Sequence, residues 1–162
     1  MSEQPENTAA EANNNQAFNI EKIYVKNASL EIPNAPEIFR NQVAPEMDIK
    51  IGIGNRALEK EFYDVSITIT ITANLPENKV LFLAEVVSSG VFLVQNFSEQ
   101  DRDVILNITC PNILFPFARE AISDLIVRGG FPPVYLNPLN FEAMYQQQQQ
   151  AKAEQAAEEN KQ

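Results

Sequence analysis

An α+β fold, with a four-stranded antiparallel sheet followed by two helices, is what the sequence predicts. Apolar residues recur at every second position through roughly the first two-thirds of the 162-residue chain and at every third or fourth position through the remainder. A run of strands followed by a run of helices gives a meander-like sheet covered on one face.

The first strand, FNIEKIYVKNASLEI at 18–32, alternates only roughly. IPNAPEIFRNQVAP, at 32–45, holds Pro33, Pro36 and Pro45, so it cannot be a central strand and forms a long crossing connection. EMDIKIGIG places Met47, Ile49, Ile51 and Ile53 on one face. FYDVSITITITANL places Tyr63, Val65, Ile67, Ile69 and Ile71 on one face, with Asp64, Ser66, Thr68, Thr70 and Thr72 on the other. That is the pattern of a half-buried strand of β-branched residues. NLPEN, at 74–78, turns the chain into a hairpin partner, VLFLAEVVSSGVFLV. This fourth strand has Phe82, Ala84 and Val86 on one side and Leu81, Leu83, Glu85 and Val87 on the other. Being apolar on both faces, it is either central or at an interface.

In the last third, Ala118, Ala121, Ile122, Leu125 and Ile126 make a helical stripe that ends at RGG, residues 128–130. Asn112 is a candidate cap, and Pro116 is tolerable only near a first turn, so the helix is expected to start at about Phe115 to Phe117, with Cys110 just before it. Asn140 caps a second helix carrying Phe141, Met144, Tyr145 and Gln148 on one stripe.

Charge and composition remove several classes of function. A net charge of −10 opposes nucleic acid and anionic lipid and favours a basic partner. A single Cys excludes an internal disulfide framework and suits a reducing compartment, and no apolar run reaches the roughly 18 residues of a spanning helix. The opening residues have neither a basic start nor an apolar core, so no secretory signal is expected and Asn27, Asn96 and Asn107 are not glycosylation sites. Residues 1–17 and 146–162 carry −3 and −1, so most of the acidity lies between them.

No catalytic constellation emerges. Cys110 near a helix start could be a nucleophile, but the chain has no histidine to serve as its base, and a small buried residue is the plainer reading. GIGNRA, at 52–57, fits a dinucleotide-binding pattern, yet its glycines lie on the polar face of a strand and no hydrophobic helix follows. Without histidine, a zinc or copper site has too few ligands. Glu120 and Asp124 share a helical face as a solvated stripe. No cofactor is expected.

What a thin two-layer core does not absorb is the number of aromatics, among them Phe39, Phe92, Phe97, Phe117 and Phe131. They fit a core plus a dimer interface, or in addition an open groove for nonpolar peptide, and the residues leave both open. An oligomeric binding module for a small apolar ligand and a structural subunit of a larger complex are the alternatives.

PNAPEIF (33–39), TCPNILFPFARE (109–120) and RGGFPPVYLNPLNFEAMY (128–145) closely resemble the SecB family of bacterial protein-export chaperones. The resemblance runs from about Phe18 to Tyr145. It implies a chaperone domain at 18–145, between an acidic disordered tail at 1–17 and a polar tail at 146–162 that is partly helical or disordered. The implied protein is not an enzyme. It is a cytoplasmic, ATP-independent homotetramer, a dimer of dimers, that does not insert in the membrane. It would hold unfolded secretory precursors translocation-competent and deliver them to the SecA motor ATPase.

The resemblance also implies roles. Glu31, Leu83 and Glu85 would engage the motor's basic, zinc-binding C-terminal segment. Ala84, Val86 and Ser88 would serve tetramer assembly. Phe39 and Val43 in the crossing loop, with Phe141, Met144 and Tyr145 in the last helix, would line the client groove. Asn27 departs from the family, standing where an acidic residue is the rule, and Glu21 is the neighbouring charge that could compensate.

Overall fold

Strands β1 (Ala17–Glu31), β2 (Glu46–Ala57), β3 (Phe62–Leu75) and β4 (Lys79–Gln95) form one antiparallel sheet in the computed structural model, which describes residues 15–159. The strand order is β1-β4-β3-β2. This corrects the expected meander: β2, β3 and β4 are joined by tight turns, but β1 lies beside β4, which makes a Greek key. The crossing connection explains it. From β1 to β2 the chain must pass two intervening strands, a span of about 14 Å. The fourteen residues after Glu31 cover that span, anchored by Ile38, which is buried, and by the Asn34 amide, which donates to the Val80 carbonyl at 3.0 Å.

β4 is central, as its two apolar faces predict. Its even-numbered residues Phe82, Ala84, Val86 and Phe92 lie with Val65, Ile67, Ile69 and Ile71 of β3 in one buried layer. Its odd-numbered residues Leu83, Glu85 and Val87 share the outer face with Thr72, Thr70 and Thr68. Among the described residues no helix packs on the outer face, so the threonines that alternate with isoleucines are where period two puts them.

One long helix covers the inner face, and here the sequence reading needs correction. The helix begins at Glu99, not near Phe115. It runs through α1 (Glu99–Val104), a π-helical stretch at Ile105–Thr109 and α2 (Cys110–Arg128) without a break. Ser98, not Asn112, is the cap: its hydroxyl accepts the Asp101 amide at 3.0 Å. Cys110 is therefore mid-helix and fully buried. Pro116 stays inside the helix because it and Asn112, whose carbonyl it leaves without an amide donor, both lie on the solvent-exposed side. The other helical signals are borne out. The Gly130 amide bonds Val127 and the Phe131 amide bonds Ile126, closing a Schellman turn at Gly130, whose φ is 87°. Asn140 caps α3 (Phe141–Glu159) by accepting the Ala143 amide at 2.9 Å.

Gly90 of β4 marks how closely helix and sheet approach. A β-carbon there would stand 2.7 Å from the Phe92 ring and 3.1 Å from Leu114 of α2, both fully buried. Gly90→Ala is expected to lower stability by about 1–3 kcal/mol through overpacking, seen as a lower urea midpoint with unchanged slope.

Candidate functional site

The outer face of the sheet gathers the predicted motor-binding residues. Glu31 lies opposite Leu83, and Ser29 opposite Glu85, so Glu31, Leu83 and Glu85 form one contiguous patch. The Thr70 hydroxyl donates to the Glu85 carboxylate at 2.9 Å, which holds that carboxylate flat against the sheet. Asn27 pairs with Val87 on the same face. Glu21 does not replace its missing charge: it is the unpaired residue between the pairs Ile20–Phe92 and Lys22–Val91, about 15 Å along the sheet.

Ala84, Val86 and Ser88 are on the opposite face, and α2 of the same chain already covers Ala84 and Val86. The Ser88 hydroxyl has no hydrogen-bond partner among the described residues.

The five groove residues fall into two clusters. Phe39 is 50% exposed, stacked on Phe131 at 5.5 Å, and Phe131 rests on Phe82 at 4.8 Å. Val43, in the same loop, is 54% exposed. At the other cluster Phe141 is 1% exposed and packs edge-on against Phe115. It belongs to the core, because the first turn of α3 packs beside the π-helical stretch Ile105–Thr109 and sets this ring against Phe115. Met144 and Tyr145 are half-buried beside Ile53 and Asn107, and the Tyr145 hydroxyl donates to Asp103 at 2.5 Å. That bond raises the Tyr145 pKa, since it holds the proton on the phenol.

A third apolar region escaped the sequence reading. An open groove of about 600 Å³ runs between α2 and the extended segment after Gly130, with Pro116, Val127, Pro133, Val134 and Tyr135 in its walls. Tyr135 is 82% exposed, and Phe117 and Val127 also face solvent. The signal was FPPVY: two adjacent prolines hold the chain extended, so it lies alongside the helix as a ledge instead of folding onto it. The groove is open along its length, a shape suited to a chain more than to an enclosed small ligand.

Among the described residues no group of three or more His, Cys, Asp or Glu is placed to hold a metal, and no helix is long and apolar enough to cross a membrane. Burial pushes the Cys110 thiol up from 9.0 to about 12, the reverse of an activated nucleophile.

The family model for SecB, preprotein translocase subunit SecB, matches residues 11–152. The chain is 52% identical over 136 residues to protein-export protein SecB of Neisseria meningitidis serogroup A, an alignment covering 84% of this chain and 92% of that one. Its identity to the protein of the same name in Methylobacillus flagellatus is 49% over 148 residues, covering 91% and 94%. In fold it is similar to the SecB-like chaperone of Mycobacterium tuberculosis, solved in complex with a ChAD peptide from the HigA1 antitoxin. There the TM-score is 0.62 at 18% identity, over 76% of this chain and 91% of that one.

Cys110 is expected to resist iodoacetamide at pH 8 in the folded protein and to react fully in urea. Its raised pKa contributes stability that is complete below pH 9.0, the ordinary thiol value, and lost as pH rises toward about 12. A urea-midpoint series across that window, compared with Cys110→Ala, checks the sign.

Proposed function

Because the chain belongs to the SecB family, we propose that it is a cytoplasmic homotetramer, a dimer of dimers, that holds unfolded secretory precursors without ATP and passes them to the SecA motor. It is a protein-export chaperone and not an enzyme. The observation that carries the finer reading is the separation of two surfaces on one thin protomer. An acidic, flat patch occupies the bare face of the sheet, and exposed apolar side chains occupy the helix and loop side.

On the helix and loop side, Phe39, Val43 and the Tyr135 ledge offer client-binding area, with half-buried Met144 and Tyr145 at the root of α3. Phe141 serves this surface from beneath, by fixing α3. Burying apolar side chains stabilises a complex by about 25 cal/mol per Å², with little regard for sequence, as a chaperone of many clients requires. Four chains in one particle turn weak grooves into a firm grip, because each later contact is intramolecular. The exposed flank of α2 around Phe117 is the surface through which dimers meet, and Ala84, Val86 and Ser88 set the seat of that helix. The working unit takes in 18–145, with Ala17 already paired in β1 and α3 continuing to Glu159, while residues 1–14 of the acidic tail expected at 1–17 lie outside the described residues.

On the bare face, Glu31, Leu83 and Glu85 receive the motor's basic, zinc-binding C-terminal segment. Charge attraction sets the encounter rate, and the apolar Leu83 supplies dry contact. Client and motor can then be bound together, which handover needs.

Light scattering on the size-excluded protein is expected to give about four chains, gaining mass with a permanently unfolded precursor and ignoring the same polypeptide once folded. A particle indifferent to the unfolded chain would remove the holding function. Glu85→Lys is expected to weaken the motor's C-terminal segment about ten-fold by calorimetry while client affinity stays near that of the parent; equal loss of both would refute the division between faces.

A further inference from the structure

β1 keeps its apolar residues at 18, 20, 23, 25, 28 and 30, intervals of two and three in turn. Each interval of three is a bulge. The pairing with β4 skips Glu21 between Ile20 and Lys22, and Lys26 between Val25 and Asn27. Since side chains alternate, one extra residue exchanges the faces of all that follow. Tyr24 faces outward opposite Ser89, yet Asn27, Ser29 and Glu31 also face outward, and only the bulge at Lys26 makes both true.

The stretch that must hold this register has little packing of its own. Residues 25–29 are all exposed, with Ile23 before them and Leu30 after them half-buried on the inner side. Side chains hold it from the outer face instead. Asp64 of β3 is 7% exposed and takes three partners: the Tyr24 hydroxyl and the Arg56 guanidinium, each donating at 3.3 Å, and the Lys26 ammonium at 3.7 Å. A carboxylate so little hydrated must be paired, and of its two partners on β1, the strand beyond β4, one is the bulged residue Lys26 itself and the other, Tyr24, lies two residues before it. The strap reaches over β4 from β3 to β1.

We propose that Asp64 is the positioning residue of the acidic patch: it pins the bulge at Lys26 and so fixes the register in which Asn27, Ser29 and Glu31 meet Val87, Glu85 and Leu83. Its functional consequence rests on the reading that Glu31, Leu83 and Glu85 carry the motor. Asp64 touches no partner. It decides which way β1 presents its side chains, and it does so across the sheet from residues that would make the contact.

The test separates register from binding. In the full-length chain the directly opposed pair Ser29→Cys/Glu85→Cys is expected to oxidise readily, and the offset pair Ala28→Cys/Glu85→Cys, which comes into register only if the bulge at Lys26 is lost, hardly at all. Adding Asp64→Asn is expected to raise the offset-to-direct ratio at least ten-fold. In the chain without added cysteines, Asp64→Asn is expected to weaken the zinc-loaded C-terminal segment of the SecA motor about ten-fold by calorimetry. Lys26 and Arg56 are largely exposed and return to water when the carboxylate is neutralised, so the variant leaves no stranded charge. Should it still fail to fold, Tyr24→Phe/Lys26→Ala breaks the strap from β1 while Asp64 keeps Arg56. An unchanged cross-linking ratio overturns the proposal, whatever happens to binding. A shifted ratio with unchanged motor affinity leaves the strap standing and overturns instead the assignment of Glu31 and Glu85 to the motor.

Discussion

The inner side of β4 meets α2 through Ala84 and Gly90, positions with little or no side chain, so the helix sits close enough for Leu114 to approach Gly90 and for Phe92 to fold over beside it. That contact fixes much else. The backbone N–H and C=O groups of a strand this far from water must be paired along both edges, which β3 and β1 do, and with β1 beside β4 the chain needs the long crossing connection to reach β2. A helix seated this deeply buries its own apolar stripe, Cys110, Leu114, Ala118, Ile122 and Ile126, and turns Phe117 and Val127 outward. The protomer is consequently thin, one sheet and one layer of helix, and cannot bury all its aromatics by itself.

Thinness puts two unlike surfaces back to back. The bare face of the sheet is made of short polar side chains, Thr68, Thr70 and Thr72, beside Glu85 and Leu83, and it has no depth in which an extended client could bury itself. The helix and loop side has depth but few charges in its groove beyond Arg119, Glu120 and Asp124. Each surface suits a different kind of partner for the same reason that the sequence alternates. The threonines facing one way and the isoleucines facing the other are a single strand, so neither surface can change character without disturbing the other's support.

How much of this could be read from the chain varies with the kind of signal. β3 was fully legible, because β-branched residues at strict period two have one interpretation. The end of α2 and the start of α3 were legible for a local reason: Gly130 and Asn140 do chemistry that only turns and caps require. The start of the long helix was not. Two prolines and a cysteine near residue 110 drew attention to a boundary there, while Ser98 and Asp101, the true capping pair, stood in an unremarked polar stretch. A π-helical turn also moved the apolar stripe out of phase, so α1 and α2 do not share one simple period. β1 looked rough because its alternation breaks twice, and each break is a bulge. As for the site, Leu83 and Glu85 fell on one face by parity alone, but Phe141 could not be told from a groove residue, since an aromatic on a helical stripe serves core and groove equally. The Tyr135 ledge depends on two segments meeting in space, which no local pattern records.

The Greek key also orders events in time. Ala17 pairs with Gln95, so the strand synthesised first has no partner until the fourth strand exists. At the usual 5–20 residues per second, that leaves β1 waiting roughly 4–16 s, with the tight β2–β3–β4 hairpins free to assemble ahead of it. A long delay of this kind exposes an unpaired strand to whatever else is nearby. A protein-export chaperone is thus, for the first seconds of its own existence, itself an unfinished chain.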